Sequence, residues 1–294
     1  MLLENVQSCP VCSGSNFKQI HSCKDYTSSG EVFHVEQCAG CGLLLTNPRP
    51  PAEHASTYYL SKNYISHGTS GEGLINRIYL IVRGFQLRWK FNLVNNYLLN
   101  NSLLDIGCGT GSFLHECKKH GIETFGMEPS IEASDKAPAG ITIVNSMERV
   151  PEIDFGVITL WHVLEHAYDL NIMFEQIKKR LSNHGTIFIA VPNWESDDAR
   201  HYQADWAAYD VPRHAWHFSK ETMQALLKKS GLKLRGIVPL KFDSYYISLL
   251  SEKNKSGGVL TFFGLIKSLF IGLRSNMRAK KTMNYSSLVY LVQK

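Results

Sequence analysis

Residues 102–121 read "SLLDIGCGTGSFLHECKKHG". An apolar run ends at Asp105, glycines stand at 107, 109 and 111, and a helical pattern follows. A strand–turn–helix passage of this kind puts its turn at the carboxyl end of a strand, where open parallel sheets bind ligands. Glycine suits such a turn because the backbone can approach a ligand without a Cβ and can take positive φ. The details narrow the ligand. A phosphate-binding loop needs Lys-Ser/Thr after its last glycine, whereas Gly111 is followed by Ser112 and Phe113. A dinucleotide fingerprint spaces its glycines G-x-G-x-x-G, and here the spacing is G-x-G-x-G. The first cation after the aspartate is Lys118, so nothing in the loop favours a pyrophosphate beyond the helix N-terminus.

Outward from this turn the chain alternates strand-like and helix-like segments. "ETFGMEP" and "ITIVN" read as strands, and "DFGVITLW" has the continuous apolar run of a strand buried on both faces. A helix over 169–182 would place Leu170, Met173, Phe174, Ile177 and Leu181 on one face. "GTIFIAVP" is a strand stopped by Pro192. Ser219 is the expected N-cap of "KETMQALLKK", closed by Gly231, and "LKLRGIVPLKF" and "SSLVYLVQK" are the expected last strands. The alternation predicts an α/β fold, a parallel sheet with helices on both faces.

The phosphate-free reading of the turn suits S-adenosylmethionine (SAM), which has a ribose, an adenine, an amino-acid end and a sulfonium. Glu128 closes "TFGMEP", 23 positions after Asp105. An acidic residue takes ribose hydroxyls at about 20 residues' spacing in related sheets, and two carboxylate oxygens suit two vicinal hydroxyls. "LLDIGCGTGSFL", "GMEPS" and "VITLWHVLEH", in that order, resemble motifs of the class I SAM-dependent methyltransferases over about residues 100–245. With "CPVC…CAGCGLLLTNPRP" and "DVPRHAWHFS", the layout resembles a bacterial subgroup with an N-terminal zinc module, related to methyltransferases of quinone and sugar biosynthesis. The resemblance implies a Rossmann-like, mainly parallel seven-stranded sheet. It implies that Asp105, Gly107, Cys108, Gly109 and Gly111 lie under the methionine of SAM. By the same resemblance Glu128 holds the ribose, Met127 packs near the adenine, and Trp161 and His162 lie beside the methyl group. In quinone-type relatives an E-x-x-E-H pattern can hold a divalent ion; this chain has His162 at its first position, followed by Glu165 and His166.

Cys9-Pro-Val-Cys12 and Cys38-Ala-Gly-Cys41 make two C-x-x-C knuckles separated by 25 residues. Two such knuckles complete a tetrahedron of thiolates, the ligand set of structural zinc, with iron as the rival metal. Four thiolates leave no open position for catalysis. Three zones are expected: a zinc-ribbon-like module over 1–46, a helical linker or lid over 47–98 that starts at the proline-rich "TNPRPP", and the SAM-binding domain over 99–294. The module could lid a cleft, staple the fold or touch a macromolecule.

Methyl transfer often needs a base, and histidine titrates in the right range. His162 and His166 follow one strand at the ligand edge of the sheet; His201, His214 and His217 follow the next, in a long segment rich in Trp and Tyr. His214 and His162 are the candidate bases. Arg213 and Arg200 are candidates to pair an anionic substrate group. Trp194, Tyr202, Trp206, Tyr209 and Trp216 are candidates to wall a cleft.

The net charge of +5 is too weak to argue for nucleic acid by itself. No basic segment followed by a long apolar stretch opens the chain, and the paired cysteines suit a reducing, cytoplasmic setting. "VLTFFGLIKSLFIGL", residues 259–273, carries Lys267 and falls short of the roughly 20 apolar residues of a bilayer span. It reads as a helix packed on the domain, with a membrane-surface helix as the alternative. The favoured function is methyl transfer from SAM to a small-molecule acceptor (a sugar, quinone-like, lipid or secondary-metabolite intermediate), releasing S-adenosylhomocysteine. An RNA methyltransferase is the runner-up, with Arg77, Arg83, Arg88 and Lys90 as a basic stripe. A non-catalytic protein that binds SAM and zinc is the third reading.

Overall fold

A computed structural model describes residues 3–59 and 74–294, the side chains of 74–83 excepted. Arg77 and Arg83 therefore lie outside the described side chains. The first zone supplies strands β1 (Phe17–Lys24), β2 (Val32–Cys38) and β3 (Leu44–Thr46). Helix α1 (Leu74–Asn95) leads into strand β4 (Ser102–Ile106) and helix α2 (Ser112–Lys119). Then come β5 (Glu123–Met127), the one-turn helix α3 (Ile131–Ser134), β6 (Thr142–Val144), β7 (Phe155–Trp161), α4 (Leu170–Arg180) and β8 (Leu181–Pro192). The long segment after β8 folds into α5 (Asp197–Tyr202), two short turns and a two-residue strand, β9 (Trp216–His217). Helix α6 (Lys220–Lys229), β10 (Lys233–Pro239), α7 (Asp243–Lys255), α8 (Phe262–Thr282) and β11 (Ser287–Gln293) complete the chain.

Seven strands form one sheet in the order β10-β11-β8-β7-β4-β5-β6. Strands β4 to β8 run parallel, and β11 runs antiparallel between β8 and β10. Successive side chains of a strand face opposite ways, and the two faces pack separately. Leu104, Ile106, Ile158, Leu160 and Ile189 share one core with Phe174 of α4 and Leu226 of α6. Leu103, Val157, Phe188 and Val289 share another with Phe113 and Leu114 of α2 and Phe91 of α1. Phe174 is almost wholly buried; truncating such a ring to alanine costs about 3–5 kcal/mol. The Rossmann-like α/β expectation holds, with helices on both faces.

Helix starts follow the capping rules. Asp169 accepts the N–H groups of Asn171 and Ile172 at the head of α4. Ser219 caps α6, as the sequence suggests, and forms a reciprocal capping box with Thr222. Helix α4 stops at Arg180 instead of 182, because Leu181 already pairs with Phe155 as the first residue of β8.

The first 46 residues are not a detached module. Their sheet has the order β1-β2-β3-β9, so its outer strand comes from residues 216–217, with Leu45 opposite Trp216. Cys9, Val11, Cys38 and Leu45 belong to the same apolar cluster as Ile158 and Leu226. The proline-rich stretch read as a boundary is packed inside this joint. Thr46 donates to the His214 carbonyl at 2.6 Å, and buried Arg49 lies over the rings of Tyr168 and Trp216 at 4.3 and 4.9 Å.

Candidate active site

Strand order in the large sheet reverses at β4, with β5 and β6 on one side and β7 and β8 on the other. The crevice at such a reversal, beyond the carboxyl ends of the strands, is where this architecture takes a ligand. The glycine turn after β4 and the pair Trp161–His162 at the end of β7 both stand there.

The turn is held open by its backbone. Gly107 and Cys108 both donate to the Met127 carbonyl, at 2.7 and 3.1 Å, which ties the turn to the end of β5. Gly107 has φ +67°, and a Cβ there would stand 2.4 Å from Val163 Cγ2. Gly109 has φ +55°, and a Cβ there would meet nothing within 4 Å. The first glycine is needed for packing against β7's continuation, and the second bares backbone towards open space.

Carboxylates surround this opening. Glu128 accepts the Gly109 N–H through one oxygen and the Ser130 N–H through the other, each at 2.9 Å. Each oxygen keeps a second lone pair for a ligand hydroxyl. Asp105 is buried and accepts the Thr159 hydroxyl at 2.6 Å. Burial lifts its pKa to about 7, against the opposing pull of Thr159 and Lys90. Trp161 packs edge-on to Phe113, and its indole N–H is buried without a partner among the described residues. An open glycine cradle, an unanswered indole donor and an excess of carboxylate fit a cationic nucleoside such as SAM. Met127 is buried in the core beside the turn.

His162 adopts φ +59°, a left-handed conformation uncommon outside glycine. Its ring is clamped between two carboxylates, Nε2 at 3.0 Å from Asp243 and Nδ1 at 3.3 Å from Glu165. Burial disfavours its charge, but the hydrogen bonds to Asp243 and Glu165 prevail and raise its pKa to about 9. An imidazolium with both nitrogens engaged has no lone pair to offer a substrate, so the clamp argues against His162 as the base.

His214 is set up differently. Its Nδ1 lies 2.8 Å from the Ala208 carbonyl, which accepts only, so Nδ1 carries the proton and Nε2 keeps a lone pair in the neutral ring. Asp210 lies 3.9 Å from that Nε2. His166 crosses the His214 ring with centroids 4.6 Å apart, and burial followed by the charge of His214 pushes its pKa down to about 4. Ligand atoms of Glu165, His166 and His214 lie within 4.8 Å of one another. The H-x-x-E-H motif thus brings its last two residues to His214, while His162 turns to Asp243.

A cavity of about 1190 Å³ opens beside Trp161 and His162. His166, His214, Trp206 and Tyr209 line it, as do Cys23, Lys24 and Tyr26 of the first zone and Tyr245 and Lys253 of α7. Of the five aromatic residues expected to wall a cleft, Trp206 and Tyr209 do so; Trp194, Tyr202 and Trp216 pack elsewhere. Arg213 is not available to a substrate anion. Its guanidinium is buried against Asp210 and against Asp25 at 2.9 Å, and it donates to the Tyr58 carbonyl at 3.1 Å. Arg200 is exposed and His201 lies off the cavity.

Across the small sheet, the four knuckle cysteines converge. Cys9 and Cys41 sulfurs are 3.5 Å apart and those of Cys12 and Cys38 3.4 Å, with all four within 4.8 Å of one another. A tetrahedral ion with metal–sulfur bonds of about 2.3 Å requires sulfurs at about this spacing. Gly14 and Gly40 flank the cluster, where a Cβ would press to 3.3 and 3.1 Å of Cys12 Sγ.

A family model described as a methyltransferase domain matches residues 84–236, more than half of the chain. The chain belongs to the methyltransferase-domain family. Two curated ubiquinone biosynthesis O-methyltransferases, from two strains of Rhodopseudomonas palustris, are each 28% identical over 149 residues. That alignment spans 46% of this chain and 58% of each relative, so less than two thirds of the relatives is matched. A SAM-dependent methyltransferase from Archaeoglobus fulgidus superposes with a TM-score of 0.46 at 17% identity, over 74% of this chain and 99% of that one. An O-methyltransferase from a Brevibacillus brevis polyketide synthase, bound to S-adenosyl-L-homocysteine, gives 0.49 at 15% identity, over 73% and 74%.

Two residues near the site were not singled out for it from the sequence. Asp243 follows β10 at the same sheet edge as the glycine turn; "KFDSYY" holds an acid just past a strand, a signal that was available. Lys90, expected in a surface stripe, is turned inward over the Trp161 ring at 4.5 Å. Burial lowers its pKa, with Asp105 and Asp243 working the other way. Nothing in "RWKFNL" announces that placement, because it depends on how α1 crosses the sheet.

Proposed function

We propose that this chain transfers the methyl group of SAM to a hydroxyl of a small-molecule acceptor, with His214 as general base. SAM supplies an activated methyl and its own leaving group. Gly107, Cys108, Gly109 and Gly111 form the floor beneath its methionine, Glu128 takes the ribose hydroxyls, and Met127 borders the adenine. Asp105, Glu128 and Asp243 favour its positive charge, and Trp161 stands at the methyl end. The hydroxyl acceptor is supported by the names of the curated relatives, both O-methyltransferases.

The observation that carries the reading is the fixed tautomer of His214. The Ala208 carbonyl holds Nδ1–H, so Nε2 is the atom that can take the acceptor's proton, and Asp210 steadies the resulting imidazolium. Trp206 and Tyr209 help exclude water from the cavity. His162, already charged between Asp243 and Glu165, positions and polarises instead. Lys24 and Lys253 on the cavity wall favour an acceptor with an acidic substituent.

The test is release of S-adenosylhomocysteine from a panel of phenolic and sugar acceptors. His214→Ala should lower turnover by about 10²–10⁴-fold while calorimetry finds SAM affinity intact. Undiminished turnover in that variant would remove His214 as the base. We further propose that Cys9, Cys12, Cys38 and Cys41 hold one structural zinc ion, as the sulfur tetrad and its closed coordination suit.

A further inference from the structure

Helix α8 is inside out. Its buried residues are Gly264, Ser268, Ile271, Gly272, Ser275 and Ala279. They let α8 close on α7: a Cβ at Gly272 would stand 2.9 Å from Tyr245 Cα. Helix α7 contributes Ser244, Ser248 and Ser251, all buried. Small residues on the packed face are the habit of helices that meet in lipid.

The large side chains point the other way. Phe263 is 82% exposed and Phe270 62%, and Phe262, Ile266, Leu273 and Met277 are exposed with them. At 3.6 residues per turn these side chains fall within an arc of about 100°, opposite the buried residues. A water-facing helix normally turns such a stripe inward. A contiguous apolar face left outside marks an interaction surface.

Charge selects the partner. From Lys253 to Thr282 there are seven cations and no carboxylate. Lys267 pairs with Glu252, and Arg274 and Arg278 pair with Asp197. Lys253, Lys255, Lys280 and Lys281 are exposed and form no ion pair among the described residues. A second copy of the same face would oppose these cations with cations. We infer that the exposed face of α8 docks on an anionic bilayer, with its phenylalanines in the headgroup boundary and the lysines on the lipid phosphates. It lies on the membrane: no helix among the described residues is long and apolar enough to cross one. Lys253 and Asn254, in the last turn of α7, and Gly258, in the turn that leads to α8, also line the cavity, so docking would set the cavity mouth against lipid. That consequence rests on the methyl-transfer reading; the docking does not.

Co-sedimentation of the full chain with vesicles tests it. Vesicles of 70:30 phosphatidylcholine and phosphatidylglycerol should pellet the chain at low salt, and pure phosphatidylcholine should pellet about ten-fold less. The double variant Phe263→Glu/Phe270→Glu should lose binding by at least about ten-fold. Lys280→Ala/Lys281→Ala should lower binding to the anionic vesicles by about five-fold per lysine. Thermal shift by SAM reports that each variant is folded, separately from any turnover. A chain that stays in the supernatant with anionic vesicles overturns the proposal. Binding unchanged in both variants overturns it too, as does a solution dimer that Phe263→Glu/Phe270→Glu dissociates.

Discussion

Arg213 Nη2 stands 2.9 Å from Asp25 Oδ1, joining two buried side chains that are 188 positions apart in the chain. Asp25 also gathers the N–H groups of Thr27, Ser28 and Ser29 in the β1–β2 turn. Burial opposes its charge, but Arg213 and those donors hold its carboxyl below the usual range. Removing the arginine would leave a buried anion without its countercharge. Arg213→Ala should therefore lose about 3–5 kcal/mol in urea unfolding. Arg213→Lys should recover only part, because a lysine cannot span Asp25, Asp210 and the Tyr58 carbonyl together.

Metal removal should be felt by the whole molecule. Cys9 and Cys38 pack in the same cluster as Ile158 of the central sheet. Stripping the proposed zinc with a chelator should shift one cooperative calorimetric transition downward, by on the order of several kcal/mol. Elemental analysis should find one zinc per chain beforehand. A separate low-temperature transition, with the main one unmoved, would contradict this coupling.

SAM affinity should depend on pH through Asp105. Its pKa of about 7 means the carboxyl becomes neutral as pH falls below that value. A cationic ligand prefers the carboxylate, so affinity should be level above about pH 8 and decline below 7 by no more than ten-fold per unit. Calorimetric titrations from pH 6 to 9 check this, and Asp105→Asn should flatten the decline.

His162 gives the opposite sign for stability. Its pKa is raised from 6.5 to about 9, so the native state holds a proton that the unfolded chain has released. The contribution is whole below pH 6.5 and is lost as pH rises through 9. Asp243→Asn removes one carboxylate of the clamp, and its stability should fall less than wild type over that window. Denaturant titrations at pH 6, 7.5 and 9 measure the difference.

Local features were legible because short-range chemistry sets them. The glycine turn, the unbroken apolar run of β7, the Ser219 cap and the two C-x-x-C knuckles all declare themselves within a few residues. Features set by distant partners were not. The pairing of β9 with β3 joins residues about 170 positions apart and involves two residues, too few for a periodic pattern. Arg213 reads as a partner for a substrate anion until Asp25 and Asp210 are placed around it. The apolar content of 259–273 is plain in the sequence, but which way α8 faces depends on the serines and glycines at its contact with α7.

The borrowed outer strand of the small sheet has an evolutionary and practical corollary. Residues 1–46 look like a cassette that could be exchanged between relatives, yet their fold is finished only by Trp216 and His217 and locked by Arg213. A chimera cut at the proline-rich stretch would leave β3 with a bare edge and Asp25 without its countercharge. Successful transplants should be those that carry residues 210–218 along with the amino-terminal segment. During synthesis, likewise, the sheet beside the cysteine knuckles waits for residues 216–217 to emerge before it can close.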